Sequence, residues 1–198
     1  MIRNIWAIGR NYGAHAKELG NAVPEKDSDP MVFLKAGSSI VENGGAIRLP
    51  SFTDDIHHEC EVALVFGADL QFSHITVALD LTARDTQHKL KSAGHPWTLA
   101  KSFKDSTALG PLVPLDKKVD LQGLKFGLTV NGETRQTGTT SDMIHSAEKL
   151  RRYVIDRFPV VEGDLLLTGT PTGVARIQSG DQMAAQIEGI VQANWSVR

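Results

Sequence analysis

The stretch His57–Phe66, HHECEVALVF, decides how this chain folds. Side chains alternate across a β-strand, so Glu59 and Glu61 point to the same face. The opposite face carries four residues of a core pattern: Cys60, Val62, Leu64 and Phe66. The pattern therefore predicts a strand that buries its apolar side and directs two adjacent carboxylates away from the core.

A third carboxylate turns this pair into a candidate metal site. Two like charges this close repel each other unless a cation or a proton lies between them, although a solvated strand face would carry the same two residues. Asp80 ends the apolar run Ile75–Leu79, where a strand passes into a helix predicted over Leu81–His88. Three carboxylate oxygens on two rigid elements, with positions left for water or substrate, indicate an open Mg²⁺ site.

Composition excludes several classes of protein. With 21 Lys and Arg against 23 Asp and Glu the net charge is −2, so neither a nucleic acid nor an anionic membrane is an expected partner. No apolar run approaches the roughly 20 residues of a transmembrane helix, and the N-terminus lacks a secretory segment. The single cysteine, Cys60, excludes an intramolecular disulfide and fits a reducing compartment, so we expect a cytoplasmic protein.

Eighteen glycines and many short β-type runs predict an α+β fold, mostly β, with few helices, in one domain over residues 1–198. Asn131-Gly132 predicts a hairpin. The clearest helix is expected to open at Ser141-Asp142 and to run to Pro159. Residues 18–30, within an N-terminal segment 1–35, read as a surface loop that acts as a lid or is a plain connector. The expected strands are Ile5–Gly9, Val32–Lys35, Glu59–Phe66, Ile75–Asp80, Phe126–Val130 and Leu165–Thr168.

Two pairs at helical spacing could take part in chemistry. His15 and Glu18 lie three residues apart, and a carboxylate beside an imidazole raises its basicity, which suits activation of water. Arg84 and Gln87 share a helix face just after Asp80 and could lie over the same cleft. Surface helices carry identical pairs, so both readings stay open.

Two further groups lie in apolar surroundings. Lys101 stands in the run Trp97–Phe103, where a lysine either reaches solvent or has a buried anionic partner. The loop Gly169–Gly173, GTPTG, follows a buried strand, and the hydroxyl and N–H groups around Thr170 could hold a carboxylate or phosphate. A tight structural turn is the competing interpretation.

The ordered set of blocks along the chain resembles the fumarylacetoacetate hydrolase family, in particular its short single-domain acylpyruvases and oxaloacetate decarboxylases. The match runs nearly end to end, and the order of the blocks is what makes it specific. The matching blocks are Gly9–Tyr12 with His15 and Glu18, Phe33–Lys35, His58–Glu61, Asp80–Asp85, Ala100–Phe103, Val130–Glu133 and Leu167–Val174.

The resemblance implies a layered, mostly β fold of mixed sheets forming a β-roll, usually as a homodimer, and a role for each candidate residue. Glu59, Glu61 and Asp80 would hold Mg²⁺, for which Mn²⁺ or Ca²⁺ can substitute. His15 and Glu18 would activate water on a segment that orders when substrate binds. The remaining expected contacts are Lys101 and Gln87 with the oxo acid, Arg84 as support, Thr170 with a substrate carboxylate, and Arg10 and Lys35 near the pocket.

The implied reaction is cleavage of a small 2-oxo acid through a pyruvate enolate. The expected reaction is acylpyruvate hydrolysis, oxaloacetate decarboxylation or both. The alternatives are fumarylpyruvate hydrolysis, oxaloacetate tautomerisation, and the isomerisation or decarboxylation of 2-hydroxyhepta-2,4-diene-1,7-dioate in the degradation of aromatic compounds. Pure tautomerisation does not require a water-activating base. A module that only binds a metal or a 2-oxo acid is the non-enzyme alternative.

One departure from the family concerns the path between two of the expected ligands. Eighteen residues separate Glu61 from Asp80, about ten fewer than the family usually has, and residues 67–74 make the whole crossing. Either the connection is trimmed here or residues are missing from the sequence. The local packing is therefore in question, whereas both ligand-bearing ends are intact.

Overall fold

The computed structural model describes residues 2–198, which fold mostly into short strands. The helices are α1 (Gly13–Glu18), α2 (Arg84–Ser92), α3 (Thr98–Lys101) and α4 (Ala147–Arg157). The strands are β1 (Asn4–Gly9), β2 (Met31–Ala36), β3 (Ile40–Glu42), β4 (Ala46–Ile47), β5 (Ile56–His58), β6 (Cys60–Phe66), β7 (Phe72–Asp80), β8 (Thr82–Ala83), β9 (Thr107–Leu109), β10 (Val113–Pro114), β11 (Lys125–Val130), β12 (Glu133–Thr139), β13 (Leu165–Leu167), β14 (Ala175–Arg176), β15 (Gln182–Ile187) and β16 (Val191–Val197). The predicted mostly β fold with few helices is confirmed.

The large mixed sheet has the order β2-β1-β13-β6-β7-β9-β3, with β10 paired to β7. Its middle strands, β13 and β6, are buried along their whole length. Val62 and Leu64 pack into the main core, whereas Ala63 and Val65 pack into a second cluster on the other face. A continuous apolar run is typical of a strand covered on both sides.

The prediction of a half-exposed strand at Glu59 and Glu61 is therefore wrong. Glu59 is 5% exposed and Glu61 2% exposed, because core residues cover the face that they share with Ala63 and Val65. Glu59 also lies between β5 and β6 rather than within the strand. The two carboxylates thus enter the protein interior, where an uncompensated charge is costly.

The other two sheets complete the layers. The five-stranded sheet has the order β12-β11-β15-β16-β4, and alternate residues of β15, such as Met183 and Ile187, face the main core. Asn131-Gly132 joins β11 to β12, which confirms the predicted hairpin. In the three-stranded sheet β14-β5-β8, Ile56 pairs with Ala83, so the segments that flank Glu59 and Asp80 lie side by side.

Two helices begin later than the sequence indicated. Thr82 and Ala83 pair with β5, so α2 begins at Arg84 rather than at Leu81. The Ser141-Asp142 segment forms only a 3-10 turn, and α4 begins at Ala147, where the Ser146 side chain accepts a hydrogen bond from the Lys149 N–H. None of the helices in residues 2–198 is long and apolar enough to cross a membrane.

The short path from Glu61 to Asp80 closes as a β-hairpin. β6 and β7 pair in antiparallel register from Cys60↔Leu79 to Leu64↔Ile75, with a bulge before Phe66. At the turn, the Gly67 N–H donates to the Gln71 carbonyl at 2.7 Å. A trimmed connection is therefore compatible with intact pairing of the two strands.

Candidate active site

The three carboxylates of Glu59, Glu61 and Asp80 converge in the interior. Each offers one oxygen, and these oxygens lie within 4.8 Å of one another. Asp80 ends β7, and its N–H donates to the Glu59 carbonyl at 2.8 Å, which fixes the two chain segments together. Two neighbouring strands therefore hold the acidic cluster rigidly.

Three buried basic side chains surround the cluster. Arg84 Nη2 lies 2.5 Å from Glu59. Lys101 Nζ is 2.7 Å from an oxygen of Glu59 and 2.7 Å from an oxygen of Asp80. Lys35 Nζ approaches Asp80 to 2.5 Å and is fully buried. The alternative that Lys101 has buried anionic partners is thus the correct one.

These ion pairs control the charge of the cluster. Burial raises the pKa of Glu59, but the positive charges of Lys101 and Arg84 outweigh it, so the net pKa lies well below the ordinary value. Burial lowers the pKa of Lys101, but Asp80 and Glu59 outweigh it and leave the pKa raised. Glu59 and Lys101 are both ionised near neutral pH.

Glu61 differs from the other two carboxylates. No Lys, Arg or His side chain within residues 2–198 lies within 4.0 Å of its oxygens, and it accepts one hydrogen bond, from the Gly169 N–H at 2.6 Å. Burial, reinforced by repulsion from Asp80 and Glu59, holds the pKa of Glu61 well above its ordinary value. Because Mg²⁺ and Mn²⁺ prefer carboxylate oxygens, a divalent cation beside Glu61 fits this donor set.

A second functional group lies on α1. His15 Nδ1 is 2.9 Å from Glu18 Oε2, and His15 is buried at the cavity wall. The other oxygen of Glu18 accepts from the Gly173 N–H at 2.9 Å. Asn11, just before α1, donates to the carbonyls of Thr168 and His145 and so fixes the start of this helix. The i, i+3 pair predicted from the sequence is therefore a real contact.

The loop Gly169–Gly173 links the two groups. Gly169 has φ +96° and its missing Cβ would lie 2.8 Å from the Asn11 Cβ, whereas a Cβ on Gly173, at φ +95°, would lie 2.2 Å from the Arg135 carbonyl oxygen. Glycine is required at both positions. The Thr170 hydroxyl is already bonded, because it donates to the Cys60 carbonyl at 2.8 Å.

Most of the predicted residues meet at one cavity. Arg84 Nη1 donates to Gln87 Oε1 at 2.8 Å, which confirms that these two side chains share a face. Arg10 lines the cavity with its backbone at φ +59° and has no ion-pair partner within residues 2–198. Lys35 lies behind Asp80 instead. The predicted residues at the cavity wall are Arg10, His15, Glu59, Glu61, Arg84, Gln87, Lys101 and Thr170.

Three residues around the site were missed by reasoning from the sequence. Asn11 and His58 stand in blocks of the family resemblance that imply no role for them, and Gln136 stands in none of the blocks. Gln136 is 1% exposed on β12, a strand whose other residues are exposed or half-buried. A polar residue within a strand of polar residues gives no sign in the sequence that its side chain is buried, so only the folded structure reveals it.

The scaffold and the site together define an enzyme class in which buried carboxylates, buried cations and a histidine held by a glutamate line one cavity, with the glutamate behind the histidine. The family model described as fumarylacetoacetate (FAA) hydrolase C-terminal matches residues 4–198. The chain belongs to the fumarylacetoacetate hydrolase family, as the resemblance implied.

Relatives cover almost the whole chain. A mitochondrial oxaloacetate tautomerase of Arabidopsis thaliana is 42% identical over 98% of this chain and 90% of the relative. An oxaloacetate tautomerase of Escherichia coli K12 is 40% identical over 95% of this chain and 90% of the relative.

Two solved structures of enzymes are similar to this chain in fold and sequence over nearly its whole length. Fumarylpyruvate hydrolase of Pseudomonas aeruginosa, in complex with Mn²⁺ and pyruvate, has a TM-score of 0.92 and 30% identity over 99% of this chain and 89% of that one. The 2-hydroxyhepta-2,4-diene-1,7-dioate isomerase of Mycobacterium marinum has a TM-score of 0.82 and 31% identity over 99% and 74%. The protein is thus a member of a family that includes enzymes of 2-oxo acids.

Proposed function

We propose that this protein is a divalent-metal-dependent enzyme that converts 2-oxo acids through their enolates, with keto–enol tautomerisation of oxaloacetate as its principal reaction. The observation that carries the proposal is Glu61, a buried carboxylate that faces Glu59 and Asp80 with no cationic partner within residues 2–198. The names of the relatives at 40% and 42% identity favour oxaloacetate as substrate.

The metal would be held by Glu59, Glu61 and Asp80. Mg²⁺ is the proposed ion, and Mn²⁺ is the natural probe because a related structure contains it. When bound, such an ion supplies Lewis-acid polarisation of the 2-oxo group. The chain itself contributes oxygens on the paired strands β6 and β7 and on the residue just before β6, together with two nearby cations, Arg84 and Lys101, that offset part of their negative charge.

Several cavity residues would orient the substrate. Lys101 would place its ammonium near the developing enolate oxygen, where a fixed positive charge in a dry site lowers the barrier. Gln87 would donate its amide N–H groups, since its oxygen already accepts from Arg84. Arg10, which has no carboxylate partner within residues 2–198, would meet the second carboxylate of oxaloacetate.

Two of the expected substrate contacts require adjustment under this proposal. The hydrogen of the Thr170 hydroxyl is donated to the Cys60 carbonyl, so a substrate carboxylate at this position would be bound by the Thr170 backbone N–H. Lys35 donates to Asp80 and to the Ser106 carbonyl at 2.8 Å. Lys35 would therefore hold Asp80 in place rather than contact the substrate.

Hydrolysis of acylpyruvates is the second candidate, and the His15–Glu18 pair favours it. Glu18 is anchored by Gly173 and would hold His15 as a base that deprotonates water for attack on the distal carbonyl. The tetrahedral species would then expel the pyruvate enolate, which takes up a proton. Decarboxylation of oxaloacetate would pass through the same enolate without water attack.

Replacing His15 by alanine separates these reactions. We expect release of pyruvate from acetylpyruvate to fall by about 10²- to 10⁴-fold, the usual contribution of a general base. Tautomerisation of oxaloacetate, followed by the loss of enol absorbance, should change by less than about 10-fold because it needs no attacking water. His88→Ala, an exposed histidine elsewhere on the cavity rim, is the matched control.

The outcomes for the proposed function are distinct. Catalysis of tautomerisation by wild type with Mg²⁺, and its loss with a chelator, would support the proposal. If chelated protein kept full activity, or if no oxaloacetate, acetylpyruvate or fumarylpyruvate were converted, the proposal would be wrong. A joint loss of both reactions in the His15 variant would instead give His15 the proton transfer at C3.

Three further expectations belong to this proposal. Residues 18–30 would act as a lid, supported by Leu19 and Asn21 at the cavity wall and by donation from Lys149 to the Lys26 carbonyl.

A homodimer is supported by exposed Leu34 on the edge strand β2, and light scattering would measure its mass. A cytoplasmic location stays a prediction, which fractionation of the source cells would test.

A further inference from the structure

Gln136 is a polar residue that the fold buries without any role in the chemistry described so far. It is 1% exposed, while its neighbours Arg135 and Thr137 on β12 are exposed. Its backbone pairs with Leu128, so its side chain enters the protein beneath the five-stranded sheet. Burial of an amide is unfavourable unless all of its groups are bonded.

The orientation of the Gln136 amide is fixed by two backbone groups. The Cys60 N–H can only donate, and it lies 2.9 Å from Gln136 Oε1. The Pro171 carbonyl can only accept, and it lies 3.0 Å from Gln136 Nε2. The assignment of oxygen and nitrogen therefore follows from chemistry alone.

The remaining two contacts then have defined directions. His58 Nδ1, 2.9 Å from Gln136 Oε1, must donate its hydrogen. The Thr170 hydroxyl, 2.8 Å from Gln136 Nε2, must accept, and its own hydrogen goes to the Cys60 carbonyl. All four hydrogen-bonding capacities of the amide are thus used, and Gln136 has a single favourable position.

The partners of Gln136 lie next to the reacting groups. Cys60 stands between Glu59 and Glu61, so its N–H and carbonyl belong to the backbone that carries both carboxylates. Thr170 and Pro171 belong to the loop whose two ends bond to functional carboxylates: the Gly169 N–H to Glu61, and the Gly173 N–H to Glu18. One amide therefore joins the strand of the carboxylates to the loop that holds both Glu61 and Glu18.

Close packing supports the same connection. A Cβ on Gly138, two residues along β12, would lie 2.8 Å from Pro171, and a Cβ on Gly173 would overlap the Arg135 carbonyl. β12 therefore lies directly against the loop on both sides of Gln136. Small displacements of the Gln136 side chain would be transmitted to the loop, since no space separates them.

We propose that Gln136 is a positioning residue that sets the orientation of the metal-binding carboxylate Glu61 and of the base partner Glu18 together, through the loop Gly169–Gly173. The expected effect on turnover rests on the proposed function. The expected effect on metal affinity requires only that Glu61 binds a divalent ion. Outer partners of metal ligands typically affect metal affinity or activity by about 10- to 100-fold.

The principal test is Gln136→Met, which keeps the length of the side chain and removes all four hydrogen bonds. We expect the Mn²⁺ dissociation constant, measured by electron paramagnetic resonance without substrate, to rise about 10-fold or more. We also expect kcat to fall by about 10- to 100-fold, with less change in KM. The pH profile of acetylpyruvate hydrolysis should also shift, because the loop that carries Gly173, the partner of Glu18, is no longer held by Gln136. Gln192→Met, exposed on the same five-stranded sheet, is the control.

A second variant covers the case in which Gln136→Met is not recovered in folded form. Thr170→Val removes only the hydroxyl that joins Gln136 to the Cys60 carbonyl, and we expect weaker Mn²⁺ binding of several-fold in the absence of substrate. Unchanged Mn²⁺ affinity and pH profile in the folded variants, with only a lower melting temperature, would overturn the inference. If wild type binds Mn²⁺ but converts none of the 2-oxo acids, while Gln136→Met weakens binding, the proposed function fails and the positioning role stands.

Discussion

Turnover is expected to fall by at least about 10³-fold in a Glu61→Gln variant, the upper end of what one electrostatic group in a site contributes. The physical reason is the charge balance of the cluster. The two cations Arg84 and Lys101 compensate Glu59 and Asp80, and Glu61 is the carboxylate with no basic partner within residues 2–198, which leaves room for an added cation. The amide of glutamine carries no negative charge for a cation to compensate, so Mg²⁺ should bind more weakly. Turnover and Mn²⁺ titration measure the effect.

The same variant should keep or gain stability when no metal is present. Glutamine preserves an oxygen acceptor for the Gly169 N–H and removes repulsion from Asp80 and Glu59. Glu42→Gln, exposed and remote from the cavity, is the control. A Glu61→Gln protein that unfolds more easily than wild type in chelator would show that Glu61 stabilises the metal-free fold, contrary to this account.

The pH dependence of this difference has a definite sign. The pKa of Glu61 is raised in the folded protein, so folded metal-free protein keeps a proton that the unfolded chain loses near pH 4.5. Folding therefore becomes less favourable as the pH rises from that value through the folded-state pKa. The stability gained by Glu61→Gln should grow over this interval, and Mn²⁺ affinity of wild type should rise with pH because binding displaces the proton.

The second large effect is expected from Lys101→Met, which should lower both activity and stability. Lys101 donates three hydrogen bonds of 2.7 Å, to Glu59, Asp80 and Thr82. Its removal leaves two buried carboxylates short of a cation, which costs about 3 kcal/mol of unfolding free energy, the lower end for a broken buried pair. The lower end applies because Arg84 still pairs with Glu59 and Lys35 still donates to Asp80. Loss of an ammonium placed at the enolate oxygen, as proposed, should lower kcat by about 10²- to 10³-fold.

Denaturant unfolding with and without Mg²⁺ separates the two roles of Lys101. A divalent ion bound as proposed would compensate the same carboxylates, so saturating Mg²⁺ should restore part of the lost stability but not the lost kcat. Lys104→Met, an exposed lysine three residues along, should leave both unchanged. If Mg²⁺ restored kcat as well, Lys101 would act on the charge of the cluster and not on the substrate.

The sequence predicted those parts of the fold that depend on local patterns. Runs such as Leu165–Leu167 and Val62–Phe66 are typical of strands, and all six expected strands are present with ends shifted by up to three residues. It also identified the three carboxylates that converge, because spacing within a strand fixes the side to which residues point. How deeply the carboxylates are buried depends on distant segments, and the local pattern does not contain it.

The starts of the helices show why the remaining features could not be predicted. Ser141 and Ser146 are equally good N-terminal caps in the sequence. Met143 and Ser146 have an extended backbone, and between them the N–H groups of Ile144 and His145 donate to Asn11, more than 130 residues away in the chain. This tertiary contact holds the segment before Ala147 out of the helix. Gln136 is a similar case, because its four partners, His58, Cys60, Thr170 and Pro171, come from two distant segments of the chain. Tertiary contacts decided both outcomes.

The tight hairpin between β6 and β7 has a consequence for how the site assembles during folding. Pairing of neighbouring segments loses little loop-closure entropy, whereas contacts between distant segments form late. All three carboxylates belong to this one hairpin and the residue just before it, but Lys35 precedes it and Lys101 follows it. We therefore expect the acidic cluster to gather by a local event together with Arg84, which follows Asp80 by four residues. The ammonium groups of Lys35 and Lys101 are expected to arrive through slower long-range closure, so ions in the surrounding solution would supply the missing counter-charges until then.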